Sequence, residues 1–179
     1  GTSSTRLWLC DGEKIIAHTC RRFGAGYRKQ SGSEAFFDKV NSIIDDLLSG
    51  VSLERQDIEG MIISGMGTSE IGICDIPHIQ LPIDEYTLAQ NVVERIIPEI
   101  NNLKLFFVPG VKQARNGEIE DIMRGEETEI CGIMDSIGEI KRCAVVLPGT
   151  HNKVIKINES GQIECFMTAM SGEIIDLVI

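Results

Sequence analysis

The densest group of residues able to do chemistry is Arg124-Gly125-Glu126-Glu127-Thr128-Glu129. A carboxylate held there can act as general base, taking the proton from an attacking hydroxyl. The neighbouring Arg124 can hold a carboxylate or phosphate through two parallel N–H donors. The same composition fits a solvated helix face with three acids, and the residues alone leave both readings open. Gly1-Thr2-Ser3-Ser4-Thr5 is a turn of small residues feeding a strand. Such a turn offers backbone N–H groups and hydroxyls to an oxyanion, which suits a nucleotide phosphate; an unstructured end has the same composition. Pro148-Gly149-Thr150-His151-Asn152-Lys153 is a like turn with an added cation, or a plain hairpin turn. Two such turns facing each other would clamp phosphates from both sides of a cleft. Gly65-Met66-Gly67-Thr68-Ser69 follows a short apolar run, where α/β sheets bind ligands at the carboxyl ends of strands, or it is an ordinary connection. The chain contains neither GxxxxGK[ST] nor GxGxxG after a strand, so the two common Gly-rich nucleotide motifs are excluded.

These groups need elements to position them. Residues 5–10 and 13–20 read as strands joined at Asp11-Gly12, a hairpin turn signal. Phe23 to Tyr27 reads as a loop. Ser31 to Ser49 is the clearest helix: Phe36, Phe37, Val40, Ile43, Ile44, Leu47 and Leu48 share one face, Gly50 ends it, and Ser31 with Glu34 makes a capping-box pattern unless Ser33 is the cap. Further expectations are strands at 58–64, 103–108 and 141–147, an extended segment between Pro77 and Pro82, and helices at 87–97 and at 119–137 on both sides of Gly125. A second hairpin spans 152–157 and 162–168, and a helix begins at 171–179.

Laying Gly1-Thr2 on Gly149-Thr150 brings Leu7 onto Ile155, Leu9 onto Ile157, Asp11 onto Glu159, Ile15 onto Ile163 and Ala17 onto Cys165. Each copy is a Gly-Thr turn, a strand, a tight turn and a strand. This reads as an internal duplication, against the alternation that any two hairpins share. The second copy has a strand before its turn; in the first, the chain starts there.

Composition bounds the rest. The chain has 179 residues and a formal net charge of −10, with 42% hydrophobic and 25% charged residues. That is ordinary for a globular protein of one or two small lobes and excludes a disordered acidic tail. Duplex nucleic acid needs a basic patch, and no cluster is longer than Arg21-Arg22. A small anion remains compatible, because local donors outweigh a distant net charge. The six cysteines form no CxxC pair and read as small buried hydrophobes in a reducing compartment, without disulfides. The three histidines are far apart, so no metal site is expected from them. No apolar run reaches the ~18 residues of a membrane span.

Together the motifs resemble one family. Ile122-Met123-Arg124-Gly125-Glu126-Glu127-Thr128 is similar to the MRGEET signature of the 2-dehydro-3-deoxygalactonokinases. Leu147-Pro148-Gly149-Thr150-His151-Asn152-Lys153 resembles their MPGTHxKW stretch, with Val154 in place of Trp. Ser64-Gly65-Met66 with Ser69 and Gly72, Gly1-Thr2-Ser3 with Arg6 and Trp8-Leu9, and Thr168-Ala169-Met170-Ser171-Gly172-Glu173 resemble three further segments, in order along the chain.

The resemblance implies an α/β fold of the ribonuclease-H-like actin and sugar-kinase type. Residues 1–138 would form one nearly complete lobe and residues 139–179 the start of a second, with ATP between lobes. The family chain is longer, so this chain is expected to be a fragment: the rest of the second lobe, and a first strand whose Asp helps place Mg²⁺, are not in it. The implied reaction is ATP-dependent phosphorylation of the 6-hydroxyl of 2-dehydro-3-deoxy-D-galactonate, in the cytoplasm, with room for a homodimer. Glu127 is the first choice of base and Glu126 the second, with Arg124 beside them. Gly1, Thr2, Ser3, Gly149, Thr150 and Lys153 are expected to bind ATP phosphates, and Arg6, Gly65, Met66, Ser69 and His151 the sugar acid. Alternatives are a non-catalytic sugar-acid-binding or regulatory module, and a kinase for another sugar acid.

Overall fold

The computed structural model describes residues 1–101, 103–138 and 142–178. Strands β1 (Thr5–Asp11) and β2 (Lys14–Arg21) are followed by helices α1 (Ala25–Ser31) and α2 (Ser33–Ser49), then by β3 (Met61–Ile63), β4 (Ile79–Gln80), α3 (Glu85–Gln90), β5 (Val93–Ile96) and β6 (Lys104–Phe107). Next come β7 (Val111–Arg115), β8 (Glu118–Met123), α4 (Glu126–Ile137), β9 (Cys143–Leu147), β10 (Asn152–Ile157), β11 (Ile163–Ala169) and α5 (Ser171–Val178). The class is mixed α/β, as expected.

By internal contacts the chain divides into two units, Gly1–Ile76 with Val93–Phe107, and Pro77–Val92 with Val108–Ile179. In the first unit β1 and β2 form an antiparallel hairpin. A separate sheet has the order β3-β6-β5, with β3 parallel and β5 antiparallel to β6. The apolar stripe of α2 is buried as its spacing predicts: Phe36, Phe37, Val40, Ile43, Ile44 and Leu48 pack with Ile63, Ile100, Leu105 and Phe107.

The second unit holds two sheets, ordered β4-β7-β8 and β11-β10-β9. Its core joins Ile83, Leu88, Val111, Met123 and Ile130 to Ile155, Ile157, Ile163 and Phe166. Residues 77–92 and 108–138 therefore share a unit with residues 142–178.

The structure corrects several local expectations. Residues 119–137 are not one helix. β8 ends at Met123, Gly125 turns the chain at φ 113°, and α4 begins at Glu126; only glycine adopts that conformation without strain. β7 and β8 form a hairpin across Asn116 and Gly117, both at positive φ (54° and 85°), the backbone such two-residue turns require. The helix expected at 87–97 stops at Gln90, and the β-branched run after it becomes β5, paired with β6; branched side chains fit the pleat better than the helix. The loop expected at Phe23–Tyr27 is the head of α1, because Ala25 and Gly26 donate their N–H groups to the carbonyls of Gly1 and Thr2 at 3.1 and 3.0 Å. α2 starts at Ser33 with no side-chain cap, so the capping box does not form: Gly32 at φ 87° separates it from α1. Of the strand expected at 141–147, Lys141 lies outside the described residues, as does Ile179 of the last helix.

All six cysteines are free, and none is fully buried: strand alternation turns Cys10 and Cys20 outward, and the other four are half-buried. Among the described residues no helix is long and apolar enough to cross a membrane.

The two hairpins share more than alternation. Both are antiparallel, and both carry one unpaired residue in the return strand, Ile16 opposite Leu9 and Cys10, and Glu164 opposite Lys156 and Ile157. Carrying the Gly1-to-Gly149 offset through, Lys153 would face Ala169; it faces Thr168, so the return strand has slipped by one residue.

Phe107, where β6 meets α2, is the largest fully buried side chain of the first core. Phe107→Ala is expected to cost about 3–5 kcal/mol, read as a lowered denaturation midpoint at unchanged slope.

Candidate functional site

β8 delivers Met123 into the core, 2% exposed, and the signature follows at the head of α4. Glu126 turns back so that its Oε2 accepts the Arg124 N–H at 2.9 Å. Glu127 is fully buried. Both its oxygens accept the Gly125 N–H, at 2.7 and 2.8 Å. Burial pushes its pKa up from the ordinary 4.5 to about 7; hydrogen bonds from its own amide and from Gly125 oppose this, the Glu126 charge adds to it, and Arg124 opposes it. The result is an acid that changes protonation near neutral pH, as a general base should. The Arg124 guanidinium donates from Nη2 to His78 Nδ1 at 3.2 Å.

The Gly149-Thr150 corner lies in the same unit. Asn152 Oδ1 accepts the Gly149 N–H at 2.7 Å, and its Nδ2 donates to the Ser171 hydroxyl. Thr150 O accepts the Glu173 N–H at 2.9 Å, and His151 Nε2 lies 3.0 Å from Glu173 Oε2 in an exposed pair. Lys153 turns inward and is 4% exposed. Its ammonium donates to Ile122 O at 2.6 Å and Thr168 Oγ1 at 2.5 Å, lies 3.8 Å from Asp121 Oδ1, and sits 5.4 Å from the centre of the Phe166 ring.

In the first unit, Gly65 at φ 66° opens a single helical turn after β3. The buried Thr68 hydroxyl donates to Gly65 O at 3.0 Å, and the Ser69 hydroxyl to Met66 O at 2.8 Å. Arg28, on α1, donates to Gly72 O and lies over the rings of Phe36 and Phe37.

One backbone contact recurs at all three corners. A Cβ on Gly24 would lie 2.1 Å from Gly1 O and 2.6 Å from Thr2 O; one on Gly72 would lie 2.1 Å from Met66 O and 2.6 Å from Gly67 O; one on Gly172 would lie 2.1 Å from Gly149 O and 2.9 Å from Thr150 O. Each candidate ligand turn thus rests on a bare glycine α-carbon. Gly24 and Gly172 stand at the offset that relates Gly1 to Gly149.

A family model described as 2-keto-3-deoxy-galactonokinase matches residues 1–179. The chain belongs to the 2-keto-3-deoxy-galactonokinase family. It is 30% identical over 178 residues to a Rhizobium meliloti (strain 1021) protein named "Probable 2-dehydro-3-deoxygalactonokinase DgoK1", covering 99% of this chain and 54% of that one. It is also similar to a crystal structure from Sinorhizobium meliloti provisionally named a 2-dehydro-3-deoxygalactonokinase protein, with a TM-score of 0.79, 27% identity, and coverage of 99% of this chain and 53% of that one. The chain spans about half the length of these relatives.

In this 2-keto-3-deoxy-galactonokinase family chain, Gly1, Thr2, Ser3, Arg6, Gly65, Met66 and Ser69 lie in the first unit, and Arg124, Glu126, Glu127, Gly149, Thr150, His151 and Lys153 in the second. α1 links the first set, touching Gly1 and Thr2 through its first N–H groups and Gly72 through Arg28. Lys153, a residue the resemblance assigns to phosphate, has its ammonium engaged with β8 and β11. The signal was present in the alternation, because Lys153 shares a strand face with Ile155 and Ile157. Gly24, Gly72 and Gly172 were not singled out, although the repeat offset marks two of them. His78 had no signal: it stands 46 positions from Arg124.

Two outcomes follow. Gly172→Ala puts a methyl into backbone carbonyls and is expected to cost about 1–3 kcal/mol, whereas Gly132→Ala, in α4 with open space around it, should stabilise by about 0.5–1 kcal/mol; thermal melts of the two variants decide. Glu127 binds its proton more tightly folded than unfolded, so stability should fall as pH rises from 4.5 to about 7, by on the order of 3 kcal/mol, and then level off. Glu127→Gln should remove that slope in denaturant titrations at stepped pH.

Proposed function

We propose that the complete protein transfers the γ-phosphoryl group of ATP to the 6-hydroxyl of 2-dehydro-3-deoxy-D-galactonate. The observation that carries this reading is the Glu127 carboxyl, buried at the head of α4 with a pKa of about 7, inside the kinase family's signature. Glu127 takes the hydroxyl proton as the oxygen–phosphorus bond forms and ADP leaves; Glu126 is the second candidate. Phosphoryl transfer is otherwise positioning and charge stabilisation. The Gly1-Thr2-Ser3 and Gly149-Thr150 corners bind phosphates, Arg124 holds an anionic group of substrate, and Arg6, Gly65, Met66, Ser69 and His151 contact the sugar acid.

Among the described residues no three His, Cys, Asp or Glu side chains gather to hold a metal ion. The described residues therefore offer no all-protein cage for Mg²⁺. Such ions are commonly held by one or two carboxylates and by the substrate's phosphates.

The reading includes a two-lobed actin-like fold of ribonuclease-H-like halves, with residues 1–138 in the first lobe and 139–179 opening the second, in a cytoplasmic enzyme of which this chain is a part. The matching bulged hairpins, each with a glycine behind its corner, support the duplication that such a fold contains.

Steady-state kinetics on the complete protein test the assignment. Glu127→Gln should lower kcat by about 10²–10⁴-fold with little change in KM, and Glu126→Gln should be milder. The wild-type kcat should rise with pH through about 7, since the acceptor must be ionised. A Glu127→Gln enzyme with near-normal kcat contradicts the role, and a collapse only in Glu126→Gln moves it one residue back.

A further inference from the structure

β8 and β10 belong to different sheets, so no backbone ladder sets one against the other. β8 ends at the Arg124–Glu127 signature, and β10 begins beside the Gly149-Thr150 corner. Lys153 joins them. It donates to Ile122 O, two residues before Arg124, and to the hydroxyl of Thr168, its cross-strand partner. That hydroxyl donates to Asp121 Oδ1 at 2.8 Å, while Asp121 Oδ2 accepts the Thr168 N–H at 2.8 Å and Asp121 Oδ1 the Ile122 N–H at 2.8 Å. Lysine can only donate and an ionised carboxylate can only accept, so the chain ammonium to hydroxyl to carboxylate runs in one direction. Further along, Gln113 Oε1 accepts the Phe166 N–H at 3.1 Å, but the Lys153 network is the tie at the signature end of β8. Lys153 is buried while Thr168 and Asp121 are half-buried, so the connected network resists slippage chiefly because breaking it at the ammonium strands a desolvated charge.

We propose that Lys153 is a positioning residue for phosphoryl transfer: through Ile122, Thr168 and Asp121 it clamps the strand leaving the Gly149-Thr150 corner to the strand entering the Arg124–Glu127 signature, and so fixes the phosphate corner relative to the catalytic acid. This rests on the kinase reading above. It assigns Lys153 no contact with substrate.

The test uses the complete protein and three variants: Lys153→Met, Lys153→Arg and Thr168→Val. Misplacing reacting groups by about 1 Å costs on the order of 10²-fold in rate. Lys153→Met should therefore lose about that much kcat while KM for ATP and for the sugar acid stays roughly constant, the mark of an interaction felt in the transition state alone. Lys153→Arg keeps the charge and donors and should recover part of the loss. Thr168→Val removes one hydroxyl and should reproduce the loss. Hydrogen exchange should quicken in both loops together, residues 123–128 and 147–152, in Lys153→Met and Thr168→Val alike. A Lys153→Met enzyme with raised KM for ATP and unchanged kcat would make Lys153 a phosphate ligand and overturn the proposal. Unchanged kcat and exchange in Thr168→Val would overturn it too, and that variant decides if Lys153→Met fails to fold. If the wild-type protein transfers no phosphoryl group, the kinase reading fails and the exchange of the two loops still decides the clamp.

Discussion

Backbone carbonyls pressed onto bare glycine α-carbons are the constraint on which the candidate site depends. Gly24 behind Gly1-Thr2, Gly72 behind Met66-Gly67 and Gly172 behind Gly149-Thr150 each leave a gap that a methyl group cannot enter. The contact locks a turn of small residues against the chain that follows it. At the first corner the same approach lets Ala25 and Gly26 reach the Gly1 and Thr2 carbonyls, which starts α1 at a sequence with poor helix propensity. At the last, Thr150 O takes the N–H of Glu173 in α5. Turns meant to hold an anion gain from such anchoring, because ordering the backbone beforehand removes an entropy cost from binding.

The second unit carries its strain in Glu127. A carboxyl with no solvent exposure is expensive to ionise, and the fold offsets only part of that through the Gly125 N–H and the positive end of α4. Glu126 and Glu129 crowd the same first turn with negative charge. A sequence selected for stability alone would place an apolar residue there. Local costs of this type gather where a protein needs a proton affinity that water does not provide.

What the sequence made legible follows from which forces are local. The α2 stripe from Phe36 to Leu48 and the Asp11-Gly12 turn are set within a few residues, and both stand as read. Between Ile119 and Ile137 apolar residues stand at helical spacing on both sides of the polar stretch 124–129. The break comes from a single glycine at φ 113°, downstream of a hairpin turned at Asn116-Gly117 that was not foreseen. α1 was not legible, because its first hydrogen bonds go to carbonyls more than twenty positions away. The same holds at the site. Glu127 and the Gly-Thr corners announce themselves as motifs, whereas Asp121, Thr168 and His78 acquire their partners only through tertiary packing. Lys153 was legible in composition as a cation and in alternation as an inward residue; the second signal is the one the structure follows.

Phosphoryl transfer to a sugar acid, the role proposed for the family signature and its corners, is recorded most plainly by its product. The complete protein, incubated with ATP, Mg²⁺ and 2-dehydro-3-deoxy-D-galactonate, should consume one ATP per sugar acid and yield a phosphate monoester whose ³¹P signal couples to the two C6 protons. A folded protein that gives no phosphorylated product with this or any other sugar acid contradicts the account.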